Sequence, residues 1–104
     1  MHGEVLKGHL DLLLLATVGE GPAHGYLIAS RLKERSDGAF ELGEGTVYPA
    51  LYRLERRGLL TSEWDRSKGR RRRVYSLTRP GRAELADRRS EWRAFSNAVQ
   101  AVLA

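Results

Sequence analysis

Two short runs of strand-forming residues, around Leu60-Ser62-Trp64 and Val74-Tyr75-Leu77, flank the stretch Asp65–Arg73, in a chain whose other apolar positions recur at helical spacing. That change of period restricts the fold strongly. Strand side chains alternate faces every second residue, whereas helix side chains return to one face every three or four. Leu59–Thr78 therefore reads as a β-hairpin that turns at Ser67-Lys68-Gly69. Its tip carries Arg66, Lys68, Arg70, Arg71, Arg72 and Arg73.

Everything around the hairpin reads as helix. In Val5–Val18, Leu6, Leu10, Leu13 and Leu14 recur at helical spacing, and Leu12 and Leu15 widen the stripe, so this helix is buried on more than one side. Gly19-Glu20-Gly21-Pro22 ends it. In Gly25–Ser36, Ile28 and Leu32 face inward and Arg31, Lys33, Glu34 and Arg35 face out; Ser36-Asp37-Gly38 is the stop. A third helix spans Thr46–Arg57. Thr46 is its expected N-cap, Pro49 its third helical position and Gly58 its left-handed end. Val47, Leu51 and Leu54 form its inward stripe. The last helix, Pro80–Leu103, follows Thr78 or Arg79. Along it Leu85, Trp92, Phe95, Val99 and Val102 make a heptad-like seam, interrupted by Arg88.

The order is helix, helix, helix, hairpin, long helix. It predicts a mainly α fold with a small β-hairpin: a winged helix-turn-helix over residues 1–78 and a C-terminal dimerisation helix over 79–104. The loop between the second and third helices is longer than in the simplest helix-turn-helix.

Charge points to the partner. Lys and Arg number 18 against 13 Asp and Glu, a net charge of +5 and a pI near 10.1. Only Lys7 precedes residue 30, whereas fourteen of the cations fall between Arg53 and Arg93. A basic working face of this kind suits a polyanion. Four consecutive arginines, Arg70–Arg73, repel one another without one; a solvated charge run is the simpler alternative. Duplex DNA is the expected partner, and an acidic protein surface is the rival.

Other function classes find little support. With no cysteine and three histidines, neither a disulfide nor a metal site is expected. Ser30-Arg31-Leu32-Lys33 matches a Ser-x-x-Lys pattern but falls mid-helix without companion motifs. Gly19, Gly21 and Gly25 lack the spacing and preceding strand of a dinucleotide loop. No catalytic residue and no cofactor are expected. The longest apolar run, Leu12–Ala16, falls far short of the about 20 residues a membrane span needs. Met1-His2-Gly3-Glu4 lacks a signal-peptide pattern, so the expected location is the cytoplasm.

On the third helix, Thr46, Tyr48, Tyr52 and Arg53 occupy the front half. Hydroxyls near a helix N-terminus suit phosphate oxygens, and Arg53 has the reach to a base edge, guanine being the usual target. The alternative for Tyr48 is inward packing with Val47 and Leu51. Gly25 and Tyr26 begin the second helix, where backbone N–H groups can hold a phosphate; Tyr26 as a core wall is the alternative. His24 reads as a cap or surface residue.

These residues resemble a known family. His24-Gly25-Tyr26 with Ile28 and Leu32, then Gly45-Thr46-Val47-Tyr48-Pro49 with Leu51 and Leu54, then Arg57-Gly58-Leu59-Leu60, are similar to the PadR-type transcriptional regulators. Leu6-Lys7-Gly8 and the tail Glu91-Trp92-Arg93-Ala94-Phe95-Ser96 fit as well. The short length and single C-terminal helix resemble the subgroup without a large effector domain. The resemblance implies a homodimer whose C-terminal helices pack on the partner, and a repressor released by a signal. The expected DNA-contacting set is Gly25, Tyr26, Thr46, Tyr48, Pro49, Tyr52, Arg53, Lys68, Arg70, Arg71, Arg72 and Arg73. The expected dimer interface is Leu6, Leu10, Leu85, Trp92, Phe95, Val99 and Val102. The resemblance further implies that Trp92 lines a pocket between subunits for a small, flat aromatic effector. Two copies of Thr46–Arg57 would then meet successive major grooves of a palindromic operator.

Overall fold

Leucine-rich α1 (Leu10–Val18) is the centre of the molecule because it is apolar nearly all round. The computed structural model describes Leu6, residues 8–67 and residues 69–104. The expected helix start at Val5 lies outside the described residues, as does Lys68. Gly8 and His9 form a turn, with His9 N–H donating to Leu6 O at 2.9 Å, so the helix proper begins later than the leucine pattern does.

After α1 the chain makes a two-residue strand, β1 (Ala23–His24), and enters α2 (Gly25–Arg35). His24 caps α2: its Nδ1 accepts the Leu27 N–H at 3.2 Å, one of the donors a helix start leaves unpaired. The end of α2 is a 6→1 and 5→2 pair, Gly38 N–H to Lys33 O and Asp37 N–H to Glu34 O, with Asp37 at φ 53°.

Helix α3 (Glu44–Arg56) begins two residues before the expected start. Gly43 is its N-cap, and Thr46 is the third helical residue, exposed and making no cap hydrogen bond. Pro49 is consequently the sixth helical residue, not the third. Having no N–H, it leaves the Gly45 carbonyl without its usual donor. The other end matches expectation: Gly58, at φ 78°, gives its N–H to Glu55 O while Leu59 N–H reaches Leu54 O.

β2 (Leu60–Asp65) and β3 (Arg72–Leu77) form the antiparallel hairpin, in register from Leu60↔Leu77 to Asp65↔Arg72. Arg72 and Arg73 thus belong to a strand, whereas Arg70 and Arg71 lie in the turn. β1 adds to β3 through Ala23↔Tyr75 and His24↔Val74, so the sheet has three strands in the order β1-β3-β2. The expected hairpin gains a strand too short to show alternation.

α4 (Arg79–Leu103) is capped by Thr78, whose Oγ1 accepts the Gly81 N–H at 3.0 Å. The core joins Leu14, Leu15 and Val18 of α1 to Ile28, Val47, Leu51, Leu54, Leu60 and Tyr75. Of the C-terminal seam, Leu85 packs on this core, as does Leu10 of α1. Trp92, Phe95, Val99 and Val102 are exposed. Among the described residues, no helix is long and apolar enough to cross a membrane, and no group of three or more His, Asp or Glu is placed to hold a metal.

Candidate nucleic-acid interface

Four aromatic side chains stand on the surface near the sheet and the two helix-turn-helix helices. Tyr26 is 73% exposed, against its reading as a core wall; its ring stacks beside His24 at 6.4 Å between centroids. Tyr48 is 41% exposed, while its neighbours Val47 and Leu51 are buried. Its ring leans on the first turn of α2, directly over Gly25; any Cβ at Gly25 would collide with Tyr48 Cε1 and Cζ. The missing side chain lets the ring of α3 close on the backbone of α2 and sets the approach of the two helices.

Pro49 and Tyr52 are exposed on α3. Arg56 lies over the Tyr52 ring, 5.8 Å from its centroid, and its Nη1 reaches the phenol oxygen at 3.4 Å. Arg53 points elsewhere. On the α1 flank of α3, its Nη2 is 2.9 Å from Asp11 Oδ1.

The wing is organised around Trp64. Arg71 and Arg73 both place guanidinium carbons over the Trp64 ring, at 4.2 and 4.9 Å from the centroid. Trp64 and Arg73 are directly opposite in the β2–β3 register, so they share a face. Arg73 Nε donates to Ser62 Oγ at 2.8 Å, and Ser62 donates to Glu55 Oε2 of α3 at 2.7 Å. Arg72 takes the other face, its Nη1 3.1 Å from His24 Nε2. Strand alternation thus sends Arg72 to His24 and Arg73 to the tryptophan, and Arg71 reaches the same ring from the turn.

Between the wing and the starts of α2 and α3 runs an open groove of about 870 Å³, bordered by Tyr26, Tyr48, Trp64 and Arg70 to Arg73. Two helix N-termini meet there, each carrying partial positive charge and unpaired N–H groups. Arginines and phenols line most of the wall, with His24 and the acidic Glu44 at the helix starts. Such a surface binds phosphate oxygens through charge and N–H donors and offers aromatic faces to a sugar–phosphate chain. Gly25, Tyr26, Tyr48 and Arg70 to Arg73 come together here. Thr46, Pro49 and Tyr52 are exposed on α3, and Arg53 lies apart on its flank.

Three contributors escaped the sequence. Trp64 had only its strand position to mark it. Asp11 was an acid amid leucines, a pattern conspicuous in itself but silent about its partners. His24 was legible as a cap, but not as a neighbour of Arg72, 48 residues away.

Comparison with known proteins agrees with this architecture. Residues 14–87 match the model of the transcriptional regulator PadR-like family. The chain is 36% identical over 86 residues to the transcriptional regulator Rv3488 of Mycobacterium tuberculosis, spanning 83% of this chain and 78% of that protein. Its fold superposes on a PadR family transcription regulator from Clostridium difficile with a TM-score of 0.80 and 33% identity, covering 92% and 99% of the two chains. A transcriptional regulator from Clostridium thermocellum gives a TM-score of 0.86 at 26% identity, covering 94% and 96%. These relatives are regulators of transcription, not enzymes, and the chain belongs to the PadR-like family of transcriptional regulators.

Proposed function

We propose that the protein is a homodimeric repressor that binds a palindromic operator and leaves it when a small effector binds. The groove of arginines, phenols and two helix N-termini between wing and α3 supports DNA as the partner. In this reading α3 enters the major groove, with Thr46, Tyr48, Pro49 and Tyr52 on the groove walls. Arg53 reads a base edge, and Gly25 and Tyr26 hold a backbone phosphate. Lys68 and Arg70 to Arg73 grip the flanking strand.

Residues 1–78 serve as the DNA-binding unit and 79–104 as the dimerisation helix. Trp92, Phe95, Val99 and Val102 form an apolar stripe that a second copy covers, with Leu6 at its margin; Leu10 and Leu85 back it from the core. A cavity of about 420 Å³ beside that stripe, lined by Leu6, His9, Leu12, Leu13, Phe40, Arg89 and Trp92, is suited to a flat aromatic effector. The protein works in the cytoplasm, where its DNA is.

Mobility shift on duplex fragments tests the reading. Binding that selects particular fragments from a random pool, as a two-fold complex, is the expected result. Absence of any duplex binding, with capture of an acidic protein instead, would overturn it.

A further inference from the structure

The carboxylate of Asp11 is largely buried, with 16% of the side chain exposed, on a helix otherwise lined with leucines. Three arginines from two other helices converge on it. Arg53 Nη2 of α3 is 2.9 Å from Oδ1, and Nη1 of Arg57, the C-cap of α3, is 3.4 Å from Oδ2. Arg88 Nη2 of α4 is 3.8 Å from Oδ2, with its Nε on Glu84 at 2.6 Å. Arg53 is 53% exposed, so its guanidinium is accessible to a ligand while tied to Asp11. To a guanidinium, a carboxylate resembles a DNA phosphate: an anionic pair of oxygens that accepts N–H donors in parallel.

We propose that Asp11 is a specificity-determining residue that competes with DNA phosphates for Arg53 and Arg57. Sequence-independent affinity grows with each phosphate neutralised. Asp11 withholds two cations of each recognition helix from that count. Arg53 leaves the carboxylate only where a base edge offers it a bidentate contact, so random DNA loses more affinity than the operator does. Arg88 joins the same carboxylate from the dimerisation helix, which lets Asp11 also hold α3 at a fixed angle to α4. The inference rests on the DNA-binding reading above.

The test compares the wild-type full chain with Asp11→Asn, which keeps the size of the side chain and one acceptor oxygen but removes its charge and its second acceptor. Affinity is measured on random duplex, and on a fragment selected by the wild type, across a salt series. The expected result is a random-duplex affinity roughly tenfold higher, with a salt slope steeper by about one to two per subunit. The preference for the selected fragment falls accordingly. A merely structural role would weaken both duplexes without steepening the slope. Asp11→Ser is expected to repeat the gain, Asp11→Glu to behave as the wild type, and Arg53→Ala with Arg57→Ala to abolish the gain in the Asp11→Asn background. A wild type that selects its fragment, beside an Asp11→Asn protein whose random-duplex affinity and slope do not rise, overturns the inference alone. So does unfolding of both neutral variants. A wild type that binds no duplex overturns the DNA-binding reading and this inference with it.

Discussion

Tyr75 is buried at the centre of the sheet, where β1 and β2 pair with β3 on either side. Burial pushes its phenol above the ordinary value of 10.0, and the nearby Glu55 charge adds to the shift, against a smaller opposing effect of Arg73. The raised value fixes the sign of the pH dependence. A folded phenol that keeps its proton longer than the unfolded one contributes stability that is complete below pH 10.0 and is lost as the pH rises through the folded value. Tyr75→Phe cannot ionise. Its denaturant midpoint is therefore expected to fall less than the wild type's between neutral pH and pH above 10.0, and one late step should vanish from the tyrosinate absorbance titration. Equal alkaline losses in both proteins would rule out Tyr75 as the group responsible.

The wing behaves as one element because Arg71, Arg72 and Arg73 are each partnered within the protein. Arg71 and Arg73 rest on Trp64, and Arg73 is tied through Ser62 to Glu55 on α3. Guanidiniums already ordered lose less side-chain entropy on meeting a phosphate. Arg71→Ala with Arg73→Ala is expected to lower affinity for all duplexes alike and to flatten the salt dependence by about two to four units for a dimer, near 0.9 per phosphate contact. A slope that does not move would exclude the wing from the complex.

The hairpin and four helices were legible at this scale because period and turn chemistry are local properties. The start of α3 was not. Thr46 has the side chain of a cap, but Gly43 takes the cap position, which shifts Pro49 deeper into the helix. The strand β1 has only two residues, and nothing but its pairing with Val74 and Tyr75 makes it a strand. The basic face was legible as charge. Its organisation was not, because Trp64, Asp11 and His24 meet their arginines across 7 to 77 residues of sequence, as Trp64 with Arg71 and Asp11 with Arg88 illustrate.

The whole molecule measures 54 × 28 × 19 Å, a long axis that a winged-helix core of this size does not need. Helix α4 accounts for it: 25 residues at about 1.5 Å each extend about 37 Å. Its first turns pack on the core through Leu85, but from Trp92 onward its apolar residues face outward. A helix half whose large apolar side chains stay exposed is marginal in water, and the stripe along it gains further stability only from a second surface. Trp92 is the largest side chain of that stripe. It is 44% exposed, set edge-on to His9 at 5.0 Å and tilted against Phe95 at 6.0 Å, so a large part of its ring remains to be covered by a partner. Removing a tryptophan from a packed environment costs about 3–5 kcal/mol, and each ~1.4 kcal/mol is tenfold in an association constant. In a two-fold dimer both copies lose the contact. Trp92→Ala is therefore expected to weaken dimerisation by at least about a hundredfold, read by sedimentation equilibrium. Affinity for a two-fold operator should fall with it, while binding to a half-site should change little. Trp64→Phe separates the two tryptophans: it should leave the dimer intact, and a planar aromatic compound that quenches the remaining Trp92 emission would support the cavity as the effector site. A Trp92→Ala protein that stays dimeric and binds its operator as before would remove the assignment of α4 as the dimer seam, and with it the two-fold operator.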